Sequence, residues 1–237
     1  MIFAAGLGTR LRPLTNDRPK ALVEVAGVAV LERVARRLIA AGADRLIINT
    51  HHFADRIDEL VRRRDGFGVE VHLSHEPDAP LDTGGGLQRA AGLFRGDAPF
   101  FLHNCDVLSD FDLRALYDAH LDDDAALATL AVMPARAERY VIFDDDGLAG
   151  YAPRGGGDDV HVRPLQGAPR HFHFTGIHVA SPALLRSLAA PGTFSIVMHY
   201  IGLAREGHRI AFHEQPGASW TDIGSHEALE AAQRAYA

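Results

Sequence analysis

The chain has a single cysteine, Cys105, and therefore no internal disulfide; that usage fits a reducing compartment, and a cytoplasmic location is expected. No apolar run approaches the ~18 residues of a membrane-spanning helix, and nothing ahead of the first apolar stretch reads as a secretory signal. The basic excess of proteins that coat nucleic acid is also missing, since 24 Lys and Arg stand against 31 Asp and Glu, a formal net charge of −7. Any phosphate recognition must therefore be local. Neither an internal repeat nor a dividing linker is visible, and 47% hydrophobic residues over 237 positions are enough for one α/β core. A single domain over 1–237 is expected.

Two further absences sort the glycine-rich segment Ala5-Gly6-Leu7-Gly8-Thr9-Arg10-Leu11-Arg12-Pro13. A dinucleotide fingerprint needs a third glycine where the helix packs on its strand, and Leu11 stands there. A Walker A loop ends in Gly-Lys-Ser or Gly-Lys-Thr, and this one does not. Two glycines after a strand more often make only a tight turn. Here Arg10, Arg12 and Lys20 follow within one segment, and the balance moves to an anion cradle with glycine amides on phosphate oxygens and cations beside them. Arg12 has structural pairing as its alternative role.

Apolar runs then alternate with amphipathic segments, the pattern of a mostly parallel sheet flanked by helices. Strands are predicted over 1–4, 46–50, 69–73 and 99–103, and helices over 31–41, stopped by Gly42, and 55–64. The triple glycine 84–86 is expected to open a helix near Leu87. In the second half, strands are predicted over 126–133, 140–143, 173–180 and 210–213, and helices over 182–188, 196–204 and 225–235. The Gly, Asp and Pro-rich stretch 153–170 reads as a mobile loop. Asp106 ends an apolar run at a strand's C-terminal edge, where open α/β sheets bind ligands. Its bland alternative is a helix or turn cap, a task open to Asp110 or Asp112; for Asp222 it is the N-cap of the helix near Ser225.

The N-terminal string continues to Arg18-Pro19-Lys20 and is followed, in order, by Leu81-Asp82-Thr83-Gly84-Gly85-Gly86, Asn104-Cys105-Asp106, Phe174-Thr175-Gly176-Ile177 and Trp220-Thr221-Asp222-Ile223-Gly224. These five blocks span nearly the whole chain and resemble the sugar-1-phosphate nucleotidyltransferases. The short, catalytic-domain-only members that the chain resembles are bacterial N-acetylmuramate-1-phosphate uridylyltransferases. The resemblance implies a Rossmann-like three-layer α/β/α core, glycosyltransferase-A-like, with a mostly parallel mixed sheet. Residues 1–110 would mainly bind nucleotide and 111–237 mainly the sugar phosphate. Relatives carry a slightly longer first strand, and the start codon is expected upstream.

The implied reaction is attack of a sugar 1-phosphate oxygen on the α-phosphorus of a nucleoside triphosphate, with pyrophosphate leaving in line. Charge neutralisation and alignment would supply the acceleration, with no covalent intermediate. By resemblance Asp106 and Asp222 hold Mg²⁺, while Arg10 stabilises pyrophosphate and Lys20 reaches the α-phosphate or the sugar phosphate. Ala5, Gly6, Leu7, Gly8 and Thr9 grip phosphate oxygens, Thr83, Gly84 and Gly85 read the base, and Asn104, Thr175 and Gly176 line the sugar side. The partners are small molecules only, UTP with N-acetylmuramate 1-phosphate first and mannose-1-phosphate guanylyl transfer second. That pairing would place the chain in cell-wall recycling, as a monomer or weak dimer. A catalytically silent sugar-nucleotide sensor is the competing class, and it would be expected to lose one of Arg10, Lys20, Asp106 and Asp222, all of which are present.

Two positions depart from the pattern. Cys105 stands where the uridylyltransferases often carry glycine, which opens sensitivity to thiol reagents, and Ser195 stands where they carry lysine. His51-His52 and His171-Phe172-His173 could form a transition-metal site, but without a companion cysteine or carboxylate pattern they read as solvent-facing or pocket-lining.

Overall fold

The computed structural model describes residues 1–135, 140–153, 156–188 and 191–237. Its first half alternates strand and helix: β1 (Ile2–Phe3), a small hairpin of β2 (Glu24–Val25) and β3 (Val28–Ala29), α1 (Val30–Ala40), β4 (Arg45–Thr50), α2 (Ala54–Arg63), β5 (Glu70–His75), α3 (Asp82–Ala90), β6 (Phe100–Asn104), β7 (Val107–Ser109) and α4 (Leu113–Leu121). The second half adds β8 (Ala126–Pro134), β9 (Val141–Asp144), β10 (Gly147–Tyr151), β11 (Val160–His161), β12 (Arg170–Ala180), α5 (Pro182–Ser187), α6 (Ile196–Arg205), β13 (Arg209–Glu214), β14 (Trp220–Asp222) and α7 (His226–Ala235).

One mixed sheet of ten strands runs through both halves in the order β11-β10-β9-β12-β6-β1-β4-β5, with β8 on β12 and β13 on β8. The parallel pairs β1–β4, β1–β6 and β4–β5 occupy the first half, and β12 joins antiparallel to β6 to carry the sheet into the second. Side-chain alternation sends Ile2 and Ile48 into a core with α1, α2 and α4, while Phe3, Ile47 and Leu102 enter a second core with α3, α5 and α6. Two cores on opposite faces of one sheet make the expected three layers.

Helix α1 forms because Leu31, Val34, Ala35 and Leu38 fall on one buried face. It stops where Gly42, at φ +105°, donates to Ile39 O, and the next amide, of Ala43, donates to Leu38 O. Several elements escaped sequence reading. Asp112 caps α4 by accepting from Ala115 N at 3.0 Å. The β9–β10 hairpin turns at Asp145-Asp146, and Gly147, at φ +111°, opens β10 opposite Asp144. Stretch 153–170, read as a mobile loop, includes β11 paired to β10, and its residues 154–155 lie outside the described residues. An anchor explains that order. Asp144 is buried, which opposes ionisation, yet Arg163 and the amides of Gln166 and Asp146 outweigh burial and hold its carboxyl down to about 2.

Candidate active site

The site is built where β1 and β6 end. Gly8 takes φ +63°, the left-handed conformation that favours glycine. Its carbonyl accepts from Leu11 N and Thr15 Oγ1, both at 2.9 Å, which turns the chain through Thr9–Leu11. A Cβ at Gly8 would lie 3.0 Å from Lys20 Cβ, so the glycine also lets the lysine stem lie against the loop. Lys20 is buried, and its Nζ sits 2.5 Å from Asp106 Oδ2 and 3.5 Å from Asp222 Oδ1. An ammonium thus bridges carboxylates that are 116 positions apart in sequence (222 − 106).

A short ladder brings those carboxylates together. β7 pairs antiparallel with β14 with Val107 opposite Asp222, and Ile223 N donates to Asp106 O at 3.0 Å. Beneath lies a separate small core of Leu11, Val23, Val25, Val30, Leu108, Ile223, Leu229 and Ala232. Leu11, at the position where a dinucleotide loop would have glycine, is fully buried in it. The apolar neighbours of the chemistry-bearing residues therefore fix the loop, β7, β14 and α7 as a unit.

Arg10 belongs to the same cluster. A Cβ at Gly224 would meet Arg10 Nη2 and lie 2.8 Å from Asp222 Oδ1, so this glycine leaves space for the guanidinium beside the carboxylate. Capping falls to other residues: Asp112 caps α4, Asp110 Oδ1 accepts from Ser219 N, and Ser225 caps α7 through Ala228 N at 3.2 Å. Asp106 and Asp222 keep partly exposed side chains facing Lys20. Ala5 is buried, while Gly6, Leu7, Thr9 and Arg10 are exposed at the sheet's edge.

The second glycine block is arranged differently. The glycines lie inside α3 rather than ahead of it, because the helix begins at Asp82, five residues before the expected start near Leu87. Gly84 N and Gly85 N both donate to Phe194 O, at 2.9 and 3.2 Å, and Phe194 N returns a bond to Leu81 O at 3.2 Å. Ile196 N donates to Thr83 Oγ1 at 3.0 Å. A Cβ at Gly84 would collide with the Phe194 ring and one at Gly85 with Gly192 O. Thr83, Gly84 and Gly85 thus seat the segment that holds Ser195 against the first half.

The expected sugar-side residues also divide. Asn104 ends β6 next to the aspartate strand, half-buried, and a Cβ at Gly176 would lie 2.5 Å from its Nδ2; Gly176 has φ +81°. Thr175, expected on the sugar side, has a buried side chain. The β12–β8 register breaks between Phe174 and His178, and the Thr175 hydroxyl turns inward to donate to Ala131 O at 2.8 Å. Its carbonyl accepts from Trp220 Nε1 at 2.9 Å, which ties β12 to the Asp222 strand.

Cys105 is buried, and burial, with Asp106 adding to it, pushes its thiol far above the ordinary value. That corrects the expected thiol sensitivity, since a buried neutral thiol is a poor nucleophile. His51 Nδ1 is bonded to Glu76 O at 2.6 Å, His52 packs on Phe53, His171 Nε2 meets Asp159 Oδ2 at 3.1 Å, and the His173 ring lies edge-on to Trp220. Among the described residues no group of three or more His, Cys, Asp or Glu side chains could hold a metal ion.

Sequence reading missed Asn49 and Glu76, buried polar residues at the ends of β4 and β5. The available signal was their position, each closing an apolar strand at the edge that carries Asn104 and Asp106. A separate cavity of about 440 Å³, lined by Leu46, Phe100 and Tyr117 among others, opens at the opposite ends of the strands and contains no motif residue.

The family described as nucleotidyl transferase matches residues 1–149. The N-acetylmuramate alpha-1-phosphate uridylyltransferase of Caulobacter vibrioides is 33% identical over 98% of this chain and 94% of that protein. The mannose-1-phosphate guanylyltransferase catalytic subunit beta of Drosophila pseudoobscura pseudoobscura is 34% identical over 94% of this chain, which spans only 58% of that longer protein. The crystal structure of HddC from Yersinia pseudotuberculosis complexed with GMP-PN superposes with a TM-score of 0.77 at 20% identity, covering 100% of this chain and 98% of the other. The chain belongs to the nucleotidyl transferase family, in the sugar-1-phosphate nucleotidyltransferase group that its motifs resemble.

Proposed function

We propose that the protein transfers a nucleoside monophosphate from UTP to N-acetylmuramate 1-phosphate, releasing pyrophosphate. The observation that carries the reaction class is the convergence of Lys20 on both Asp106 and Asp222 beside the left-handed Gly8 turn. The reading of substrates rests on the uridylyltransferase likeness over nearly the full length of both chains.

Two polyanionic substrates must meet, so cations and oriented amides have to offset their repulsion. In this reading Arg10 and the amides of Leu7 to Thr9 bind the departing pyrophosphate, the guanidinium offering a fork that matches paired oxygens. Lys20 holds the α-phosphate or the acceptor phosphate as a point charge. The Lys20 ammonium already lies against both carboxylates, and two partly exposed hard oxygen donors suit Mg²⁺, which takes the rest of its coordination from phosphate and water. Asp106 and Asp222 would hold that ion, which when bound neutralises phosphate charge. Asn104, held by the space at Gly176, faces the acceptor side.

The deciding measurement is pyrophosphate release with Mg²⁺ over UTP, GTP, CTP, dTTP and ATP, each paired with N-acetylmuramate, mannose, glucose and N-acetylglucosamine 1-phosphates. Turnover concentrated in the UTP and N-acetylmuramate pair, lost in Asp106→Ala, is expected. Preference for GTP with mannose 1-phosphate would move the protein to guanylyl transfer, a second reading favoured by the 34% identity to that enzyme's catalytic subunit. Nucleotide-sugar binding without turnover in any pair would make it a sensor.

A further inference from the structure

Glu76 is buried, its carboxylate is bonded to the Asn49 amide and Leu81 N and forms no ion pair among the described residues, and it takes no part in the chemistry proposed above. We infer that it is a positioning residue that braces the phosphate loop against the Leu81 segment, acting through Asn49.

The brace is a directed chain of hydrogen bonds. Ala4 N, at the root of the phosphate loop, donates to Asn49 Oδ1 at 2.7 Å; Asn49 Nδ2 donates to Glu76 Oε1 at 2.7 Å; and Leu81 N, just ahead of α3, donates to Glu76 Oε2 at 2.7 Å. Both ends of the chain are backbone donors pointing inward. One amide between them passes the direction along, so the last member must accept on both sides, and a carboxylate does that without donating. A second amide at position 76 would leave one donor facing another whichever way the two amides were turned, and an unmet buried donor is costly.

The surroundings leave the chain no slack. A Cβ on Gly86 would lie 2.7 Å from Asn49 Nδ2 and 2.8 Å from Glu76 Oε1, so the third glycine of the triple is where α3 comes down onto the brace. The Glu76 backbone is held too, its amide by Thr50 O at 2.7 Å and its carbonyl by His51. The path crosses the ends of β1, β4 and β5 and sets the spacing between the loop proposed to grip phosphates and the segment seated on Phe194.

The test exploits hydrogen-bond polarity. Glu76→Gln breaks the direction, whereas Glu76→Gln combined with Asn49→Asp moves the acceptor one place along and restores it: Ala4 N and the introduced amide both donate to the new carboxylate, and Leu81 N donates to the new amide's oxygen. Hydrogen exchange in the free protein should show the Ala4 or Leu81 amide opening about tenfold faster in the single variant, with both returned close to the parent rate in the double. The KM split rests on the proposed reaction: KM for UTP should rise about tenfold in the single variant, with KM for N-acetylmuramate 1-phosphate within about twofold, and the double should recover. Exchange needs no substrate, so an inactive parent enzyme would sink the reaction while leaving the brace decided by exchange. A double variant no better than the single, or exchange raised evenly across the core, would overturn the brace. So would altered preference among the five triphosphates, which would make Glu76 a reader of the base.

Discussion

The molecule uses glycine twice at one sheet edge, in opposite ways. Around Gly6 and Gly8 the chain is exposed, and the bonds that shape it use carbonyls, those of Gly8 and Thr9. Around Gly84 to Gly86 the chain is buried, amides donate to Phe194 O, and every missing Cβ is filled by Phe194, Gly192, Asn49 or Glu76. One glycine segment leaves space for something from outside the chain, and the other closes on the chain itself. The sequence motifs look alike because both need absent side chains; only the third dimension shows what fills the space.

Substituting the closed segment should give the largest effect. Gly85→Ala forces a methyl group into the Gly192 carbonyl, where backbone has to move, and overpacking of this kind is expected to cost on the order of 3 kcal/mol, or roughly 6–12 °C in Tm. Thermal melts check it, and a variant as stable as the parent would show that the 192–196 segment is not seated as described.

Acid probes the dry interior behind both loops. Burial lowers His103 to about 4 and His178 to about 3, and neither ring nitrogen of His178 has a hydrogen-bond partner among the described residues. The unfolded chain takes up these protons near the ordinary 6.5, whereas the fold resists until pH 4 and 3. Unfolding therefore binds protons across that window, and stability should be full above pH 6.5 and decline toward pH 3. Denaturant melts at stepped pH measure the slope. His178→Phe, which keeps a ring stacked on Phe174, should make it shallower; an unchanged slope would put the titration elsewhere.

Gly8→Ala falls between the two kinds of glycine. Holding alanine at φ +63° costs about 1–2 kcal/mol, and the new methyl presses on Lys20 Cβ and Thr15 Cγ2 at 3.0 and 3.1 Å. A modest Tm loss should accompany a larger loss of turnover, because displacing Lys20 loosens its contacts with Asp106 and Asp222. Turnover tracking stability alone would separate the loop from the chemistry.

What could be read from sequence follows the range of the interactions. Helix α1 was legible because its apolar stripe and Gly42 stop are local, and Arg10, Lys20, Asp106 and Asp222 stood out as charged residues in blocks that resemble those of a family. Their meeting was not legible from spacing: it depends on the three-residue ladder of β7 and β14, too short for any periodicity. Thr175 was placed on the sugar side by resemblance alone, and a motif does not show that an irregular register in β12 turns its hydroxyl inward to Ala131 O. Asn49 and Glu76 were passed over because their strand-end position marks them only weakly, and the bond between them joins residues 27 positions apart.

Gly6→Ala should change stability least and separates the two uses of glycine most sharply. Gly6 is exposed, does not have a positive φ, and has nothing within 4 Å of where a Cβ would stand, so the fold should tolerate alanine to within about 0.5 kcal/mol. If the space beside Gly6 exists for phosphate oxygens, the same methyl group obstructs them, and KM for the triphosphate should rise about tenfold while Tm stays put. Unchanged kinetics together with unchanged stability would mean that nothing approaches Gly6 closely, and the phosphate contact would have to lie further along, at Gly8 and Thr9.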